Sequence, residues 1–215
     1  AYSDLQKVMQ ASERASSLVK QILTFSRQTE HEKKPLHMNL VIKEALKLLK
    51  STLPANIAIT EDIDKGLPKV MADPTQIHQV IMNLCTNAGQ AMEAEGGLLG
   101  VELKAASMDS KSAALYPNLE PGEYLQLTVS DNGPGIDPEK KDHIFEPYFT
   151  TKKRGEGTGL GLAVVHSIVQ NMNGWISVYS EPGQGAAFKI LLPAYSVNEQ
   201  EEIEAVREDL IRGKG

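Results

Sequence analysis

Apolar residues recur every three or four positions near the start of the chain, in a stretch, 4–28, that contains no glycine or proline. The seam consists of Leu5, Val8, Ser12, Ala15, Val19, Ile22 and Ser26. This recurrence predicts one long helix with coiled-coil-like packing. Leu18 and Phe25 add a second apolar edge, which is typical of a helix in a bundle. The sequence therefore predicts a helix that needs partners.

Two further helices are marked by the residues at their ends. After a polar stretch that we interpret as a linker, Asn39 is placed to cap a helix that runs to about residue 53. Asp73 and Pro74 begin the second one, because a carboxylate accepts from the free N–H groups of a first turn and proline fits its first position. A glycine pair predicts that this helix ends near residue 94.

Alternation of apolar and polar residues over 57–63 predicts a half-buried strand. Similar runs predict strands at 69–71, 98–106, 124–130, 175–180 and 187–192. Helices are also predicted at 138–145 and 160–172, with an exposed loop at 109–122. This order lacks regular βαβ alternation and predicts an α+β fold. We expect a two-layer sandwich of a mixed sheet with helices on one face, preceded by the long N-terminal helix.

Composition restricts the function classes. The 215 residues include 22 Lys and Arg against 28 Asp and Glu, and the formal charge of −6 argues against general nucleic-acid binding. The single cysteine, Cys85, cannot form an internal disulfide and is consistent with a reducing, cytoplasmic compartment. No apolar run is long enough to predict a membrane span, and this is compatible with an upstream anchor in a longer parent chain.

Two asparagines one helical turn apart, Asn83 and Asn87, share a face of the helix that begins after Asp73. Each buried amide without a partner costs about 1–3 kcal/mol, so both need hydrogen bonds. On their own, they are better explained as core asparagines that bond to the backbone than as ligand-binding groups.

Two glycine-rich segments follow. DNGPGID, 131–137, comes directly after a strand, and its glycines allow a close approach to a planar ligand while Asp131 accepts from an exocyclic amine. A hairpin turn is the alternative, because Asn-Gly favours one. GEGTGLGL, 155–162, opens a helix whose free amides favour phosphates. A loop without ligand is the alternative, and Leu162 after Gly161 excludes a P-loop.

The order of these segments is far more specific than any one of them. N-x-x-x-N at 83–87, DNGPGID at 131–137, IFEPYFTTK at 144–152 and GTGLGL at 157–162 resemble the N, G1, F and G2 boxes of sensor histidine kinases. The resemblance covers roughly 5–195. It implies the Bergerat ATP-binding fold shared with Hsp90, gyrase B and MutL. It also implies transfer of the ATP γ-phosphate to a histidine, for relay to an aspartate of a response regulator.

The resemblance implies a role for each matching residue. Asn87 corresponds to a ligand of the Mg²⁺ that bridges the ATP phosphates, and Asn83 stands near the triphosphate. Asp131 receives the adenine amine. The residues implied to shape the adenine pocket are Gly133, Gly135 and Ile136, and those implied to place amides around the phosphates are Gly157, Thr158, Gly159, Leu160 and Gly161. Residues 149–157 correspond to a mobile lid, with Lys152 near the phosphates.

Two positions depart from the family pattern. The last glycine box, GQGAAF at 183–188, has Ala186 and Ala187 where threonine is frequent, which removes a hydroxyl that reaches adenine through water. Gln90, which we also expect among the residues that bind ATP, stands three residues after the metal asparagine, where some members have lysine. This difference leaves more of the phosphate neutralisation to Mg²⁺ and to the cations at 152–154.

An ATP hydrolase of the same fold is the alternative enzyme. Such hydrolases carry glutamate at the position of Asn83, where it activates water. A carboxamide cannot accept that proton, so Asn83 favours transfer to a protein nucleophile. A nucleotide-sensing module without catalysis is the third alternative.

The phosphorylated histidine is expected to be absent from this chain, which would then not autophosphorylate alone. His31 in HEKKPL resembles the acceptor pattern, but the spacing is one residue short and the residue follows what resembles the second helix of the family's hairpin. The expected segments are a partial dimerisation hairpin at 1–30, a linker at 31–38, a catalytic ATP-binding domain at 39–195 and an acidic linker at 196–215. The expected partners are ATP, a phosphoacceptor helix of a longer parent, a second copy of that parent, and a response regulator or C-terminal receiver domain.

Overall fold

A computed structural model describes residues 32–114, 116, 119–152 and 157–195. The predicted N-terminal helix, His31, the cations at 153–154 and the acidic segment at 196–215 lie outside these residues. The strands are β1 (Lys34–Leu36), β2 (Ile57–Ile63), β3 (Lys69–Ala72), β4 (Gly97–Met108), β5 (Gly122–Asp131), β6 (Trp175–Glu181) and β7 (Gly185–Tyr195). The helices are α1 (Met38–Thr52), α2 (Pro74–Ala91), α3 (Ser110–Ala113) and α4 (Gly161–Asn171), with a 3-10 turn at Pro138–Lys140.

One mixed sheet contains all seven of these strands, and six of them lie in the order β1-β3-β7-β5-β4-β2. β6 also pairs with β7, in an antiparallel hairpin. β2 and β4 run parallel, whereas the other described pairs are antiparallel. The prediction of an α+β fold with a mixed sheet is therefore confirmed.

Helices α1, α2 and α4 cover one face of this sheet because their apolar residues recur with the period of a helix. α2 lies between α1 and α4 and buries Ile77, Val80, Ile81, Leu84, Cys85 and Ala88. The sheet contributes alternate residues, among them Leu99, Val101, Leu103, Leu125, Leu127, Val129 and Ile190, all nearly inaccessible to solvent. Burying one such side chain contributes about 1.5–3 kcal/mol, so this layer contact holds α2 firmly in place.

The opposite face of the sheet is polar over much of its area. Lys104 bridges two carboxylates there, at 2.9 Å from Asp62 and 3.3 Å from Glu102. A small apolar cluster lies at one end, where Leu119 packs with residues of β5 and β7. None of the helices within the described ranges is long and apolar enough to cross a membrane.

The N-terminal boundary differs from the expectation. Lys34–Leu36, placed within the linker at 31–38, forms β1 and pairs with β3. The prediction that Asn39 caps the first helix is wrong, because α1 begins at Met38 after His37, which makes no capping hydrogen bond through its side chain. Edge pairing and burial of Met38, rather than a capping side chain, determine where these elements begin.

The start of α2 is confirmed, and its end is not. Asp73 accepts a hydrogen bond from the backbone N–H of Thr75 at 2.7 Å, as the capping argument requires. The helix ends at Ala91 rather than near residue 94, because a non-helical turn follows in which Gly96, at φ +74°, donates to the carbonyl of Met92 at 2.8 Å.

Two other segments differ from their predictions: a predicted loop contains a helix, and a predicted helix is mostly turns. The loop predicted at 109–122 contains α3, which Asp109 caps through the N–H of Ser112 at 2.8 Å. It also buries Leu119, so it is not simply exposed. The helix predicted at 138–145 is reduced to the 3-10 turn Pro138–Lys140 followed by further turns.

Candidate functional site

The two asparagines of α2 point to the first residue of α4. The side-chain N–H of Asn83 donates to the carbonyl of Gly161 at 3.3 Å, although 78 residues separate the two. A Cβ placed on Gly161 would lie 3.7 Å from the amide nitrogen of Asn87 and 3.8 Å from the amide oxygen of Asn83. Both asparagines are half-buried, so their amides also remain accessible. This arrangement is better explained by a polar site at the N-terminal end of α4 than by two asparagines that belong to the hydrophobic core.

The glycine run that leads into α4 lies against the segment before it. Tyr148 donates its backbone N–H to the carbonyl of Gly159 at 2.9 Å. Gly159 has φ +66°, and a Cβ there would come within 2.4 Å of the Tyr148 carbonyl carbon, so glycine is required. Tyr148 itself has φ +68° with its side chain 72% exposed, a conformation that is uncommon outside functional sites and tight turns.

The rest of the run places one hydroxyl and one apolar side chain near α4. The hydroxyl of Thr158 accepts from the N–H of Leu160 at 3.4 Å. Leu160 is buried, and its carbonyl accepts from the N–H of Val164 at 2.9 Å, so it anchors the start of α4 in the protein. The first N–H groups of α4 lack partners within the helix, and they carry its positive dipole end. This end is suited to an anion such as a phosphate.

Lys152 lies between the glycine run and α2. Its backbone N–H donates to the hydroxyl of Thr150 at 3.2 Å, and its ammonium group contacts the side-chain oxygen of Gln90. A Cβ on Gly157 would lie 3.2 Å from Cδ of Lys152. The cation expected near the phosphates is therefore beside the same helix that carries Asn87.

Asp131 ends β5 with its carboxylate partly withdrawn from solvent. One oxygen accepts from the N–H of Gly133 at 2.9 Å. Burial raises the pKa of Asp131 above its ordinary value, and hydrogen bonds from the backbone of Gly133 and Ala186 offset part of that rise. A Cβ on Gly133 would approach Cγ of Met92 to 3.2 Å, so the end of α2 forms the floor beneath this carboxylate.

The segment 131–137 is not a hairpin turn, since β5 ends at Asp131 and the next strand along the chain begins at 175. It packs instead on the turn between β6 and β7. Gly135, at φ +73°, fits because a Cβ there would lie 2.2 Å from the carbonyl oxygen of Glu181. The N–H of Ile136 donates to the hydroxyl of Ser180 at 2.8 Å. The proposed adenine-pocket residues are thus held by a distant strand pair.

Sequence reasoning missed three residues that shape this site. Ser180 joins the two turns, because its hydroxyl accepts from Ile136 and donates to the carbonyl of Gly185 at 2.7 Å. Asn132 accepts from the N–H of Leu98 at 2.7 Å and ties the start of β4 to the end of β5. Met92 packs under Gly133. Only Asn132, next to Asp131, carried a local signal, since the contacts of Ser180 with Ile136 and of Met92 with Gly133 join residues more than forty apart in sequence.

Asn87 is the residue that we expect to bind Mg²⁺. Within the described ranges, no group of three His, Cys, Asp or Glu side chains is arranged to hold a metal ion. Mg²⁺ commonly binds proteins through one or two side chains together with substrate phosphates. The side-chain amide of Asn87, beside the N-terminal end of α4, has one oxygen to offer in that mode, in which the ion arrives with the phosphates.

Comparisons with known proteins agree with this geometry. A family model described as histidine kinase-, DNA gyrase B-, and HSP90-like ATPase matches residues 72–196. The chain is 36% identical over 193 residues to the sensor kinase CckA of Brucella abortus, which covers 90% of the chain and 20% of that protein. It is 34% identical over 194 residues to the sensor histidine kinase ZraS of Escherichia coli, covering 90% of the chain and 38% of that protein.

A solved structure is also similar. Full-length ShkA in complex with AMPPNP has a TM-score of 0.70 and is 26% identical, with 91% of this chain and 39% of that chain covered. The chain thus spans well under half the length of these three proteins. The family match over 72–196 includes α2, the segment at 131–137 and α4. The chain therefore belongs to the histidine kinase-, DNA gyrase B- and HSP90-like ATPase family, and it carries the ATP-binding domain that is found in sensor histidine kinases.

Proposed function

We propose that this chain binds Mg·ATP and presents the γ-phosphate to a histidine of its parent protein. The adenine amine donates to Asp131, in a pocket formed with Gly133, Gly135 and Ile136. The triphosphate lies at the glycine run 157–161, with Asn83, Asn87 and Lys152 around it. When bound, Mg²⁺ neutralises charge on the phosphate oxygens, and Asn87 is its protein ligand.

The convergence of Asn83 and Asn87 on Gly161 supports this proposal most directly. It joins a stripe of α2 to the amide end of α4, where a polyanion is favoured. Phosphoryl transfer needs little covalent help from the protein, since catalysis is mainly positioning and stabilisation of charge. An arrangement of amides and one cation supplies both.

In the proposed transfer, an imidazole nitrogen attacks the γ-phosphorus as the bond to the β-phosphate oxygen breaks. A phosphorus–nitrogen bond forms, ADP leaves, and the imidazole releases its proton. Asn83 donates its amide N–H to Gly161 and offers no group that can accept a proton from water. This supports transfer to a protein nucleophile over hydrolysis.

The proposed partners follow from that reaction. The phosphate acceptor is a helix of a longer parent chain, the parent acts as a homodimer, and the phosphohistidine passes its group to an aspartate of a response regulator or receiver domain. No nucleic-acid partner is proposed, given the charge of −6. The use of ATP implies a cytoplasmic location for this domain.

Isothermal titration with Mg·ATP tests the binding site. Asp131→Ala removes a charged acceptor, a contact that contributes about 1.5–3 kcal/mol, so affinity should fall by roughly tenfold to a hundredfold. Asp137→Ala is the matched control, because Asp137 belongs to the same segment but its contacts are local: it caps the 3-10 turn through Glu139 at 3.1 Å and pairs with Lys140 at 3.3 Å. Equal affinity of the unsubstituted chain and of Asp131→Ala for Mg·ATP would contradict the assignment of Asp131 to adenine.

Titration with and without Mg²⁺ tests the metal ligand. Asn87→Ala should lose the part of the affinity that depends on Mg²⁺ and keep the part measured in chelator. Thr86→Ala is its control, since the hydroxyl of Thr86 bonds within α2 to the carbonyl of Met82 at 2.6 Å. A loss of the same size in both conditions would count against a metal role.

Radiolabelled ATP distinguishes transfer from hydrolysis. The chain is incubated with Mg·ATP and a histidine-bearing helical hairpin from a sensor kinase relative, and both products are followed. Acid-labile label on the hairpin with slow release of inorganic phosphate supports the proposal. Rapid Mg²⁺-dependent phosphate release, without label on histidine, would favour the hydrolase instead.

A further inference from the structure

The contact between Gln90 and Lys152 joins α2 to the segment before the glycine run, 62 residues away. The lysine is held on two other sides. Thr150 accepts its backbone N–H at 3.2 Å, and its alkyl chain lies beside the backbone of Gly157. A long lysine side chain loses conformational entropy when it is held in this way, so these contacts must be strong enough to offset that cost.

Gln90 continues the stripe that contains Asn83 and Asn87. The three residues are at positions i, i+4 and i+7 of α2, which places them on one face of the helix. Gln90 lies about 4.5 Å farther along the axis than Asn87, at about 1.5 Å per residue. An ammonium group at Gln90 is therefore close to the proposed phosphate site without occupying it.

The chemistry of an amide suits this position. The side-chain oxygen of glutamine accepts a hydrogen bond from an ammonium group and leaves its charge intact. A carboxylate would hold the lysine more strongly and would cancel the charge that a phosphate needs. A lysine in place of Gln90 would add a second cation rather than orient the first.

We infer that Gln90 is a positioning residue that holds the ammonium group of Lys152 toward the terminal phosphates of a bound nucleoside triphosphate. The inference rests on the proposed function, because it concerns how the same site distinguishes ATP from ADP. Gln90 acts through Lys152 and does not itself contact the nucleotide. The recognised chemistry is the additional negative charge of the third phosphate.

Titrations of Mg·ATP and Mg·ADP into four chains test this inference. The four are the unsubstituted chain, Gln90→Ala, Lys152→Met and the double variant. Loss of one charge-assisted hydrogen bond should weaken Mg·ATP binding about tenfold in Gln90→Ala, with a change in Mg·ADP of less than about threefold. In the Lys152→Met background, Gln90→Ala should have no further effect. Gln90→Glu should also lower the preference for ATP, because its carboxylate neutralises the lysine.

Gln170→Ala, in the last turn of α4, controls for the loss of a glutamine side chain, and urea midpoints confirm that each variant is folded. Additive losses for Gln90 and Lys152, or equal losses for ATP and ADP, would overturn the inference. If the unsubstituted chain binds no Mg·ATP, the proposed function is overturned, and this inference with it. If the unsubstituted chain binds Mg·ATP and Gln90→Ala binds it equally well, the inference alone fails.

Discussion

Replacing Gly185 with alanine tests whether the turn between β6 and β7 determines the position of Asp131. The backbone of Gly185 has φ +85°, and a Cβ there would lie 1.9 Å from the carbonyl oxygen of Asp131 and 2.8 Å from Cα of Asn132. Both neighbours are backbone atoms, so no side-chain rotation relieves the overlap. Asp131 is also paired in register with Ala186, the next residue, so the two strands must separate or shift.

Gly183→Ala provides the matched control within the same turn. Gly183 has φ +78°, but no atom lies within 4 Å of a Cβ placed on it. Its substitution therefore incurs only the left-handed backbone cost, about 1–2 kcal/mol. Gly185→Ala incurs that cost plus the strain of overpacking, about 1–3 kcal/mol more. The difference between the two variants isolates the clash with β5.

Urea denaturation gives the free energy of unfolding of both variants, and titration with Mg·ATP reports on the pocket. We expect Gly185→Ala to lose more stability than Gly183→Ala, and to lose ATP affinity at a urea concentration where it remains folded. Gly183→Ala should bind ATP as the parent does. Equal destabilisation of the two variants, with unchanged affinity in both, would refute the reasoning.

Three further predictions concern single residues. Burial raises the pKa of Asp131, so its contribution to stability is present below the ordinary carboxyl pKa of about 3.9 and is lost as the pH rises through the raised value. Asp131→Asn, measured by urea unfolding, should therefore gain stability relative to the unsubstituted chain as the pH rises above about 4, while losing ATP affinity. Asp73→Ala should cost about 1 kcal/mol of unfolding free energy, because the N–H of Thr75 loses its cap, and Asp73→Asn should restore most of it. Burial raises the pKa of Cys85 to about 12, so a thiol reagent at neutral pH should modify it only after unfolding.

Strands β2 to β7 and the start of α2 were predictable because their signals are local. Alternation over Ile57–Ile63 reports a strand with one face inward, and Asp73 with Pro74 specifies a helix start through contacts within a single turn. The start of α1 was mispredicted for the opposite reason. Its first residue follows β1, a three-residue strand whose pairing with β3 leaves no periodic signal in the sequence.

The candidate site was likewise predictable where its signals are local and unpredictable where they are not. The order of the boxes gave the residues that we propose for the site, and the family match supports the domain in which they lie. The contacts of Gln90 with Lys152 and of Ser180 with Ile136 were not predictable, because each joins elements more than forty residues apart. Such pairs form only when the whole sheet and the helices on it have a defined register.

The place of β7 in the sheet affects how the protein can fold while it is being synthesised. β7 is the last of the described strands, and it pairs with β3, β5 and β6. Until residues 185–195 leave the ribosome, β1 and β3 cannot be joined to the rest of the sheet, and the apolar faces of α1 and α2 lack part of their cover. Such late, long-range pairing slows folding and exposes hydrophobic surface, which makes the nascent chain a substrate for chaperones.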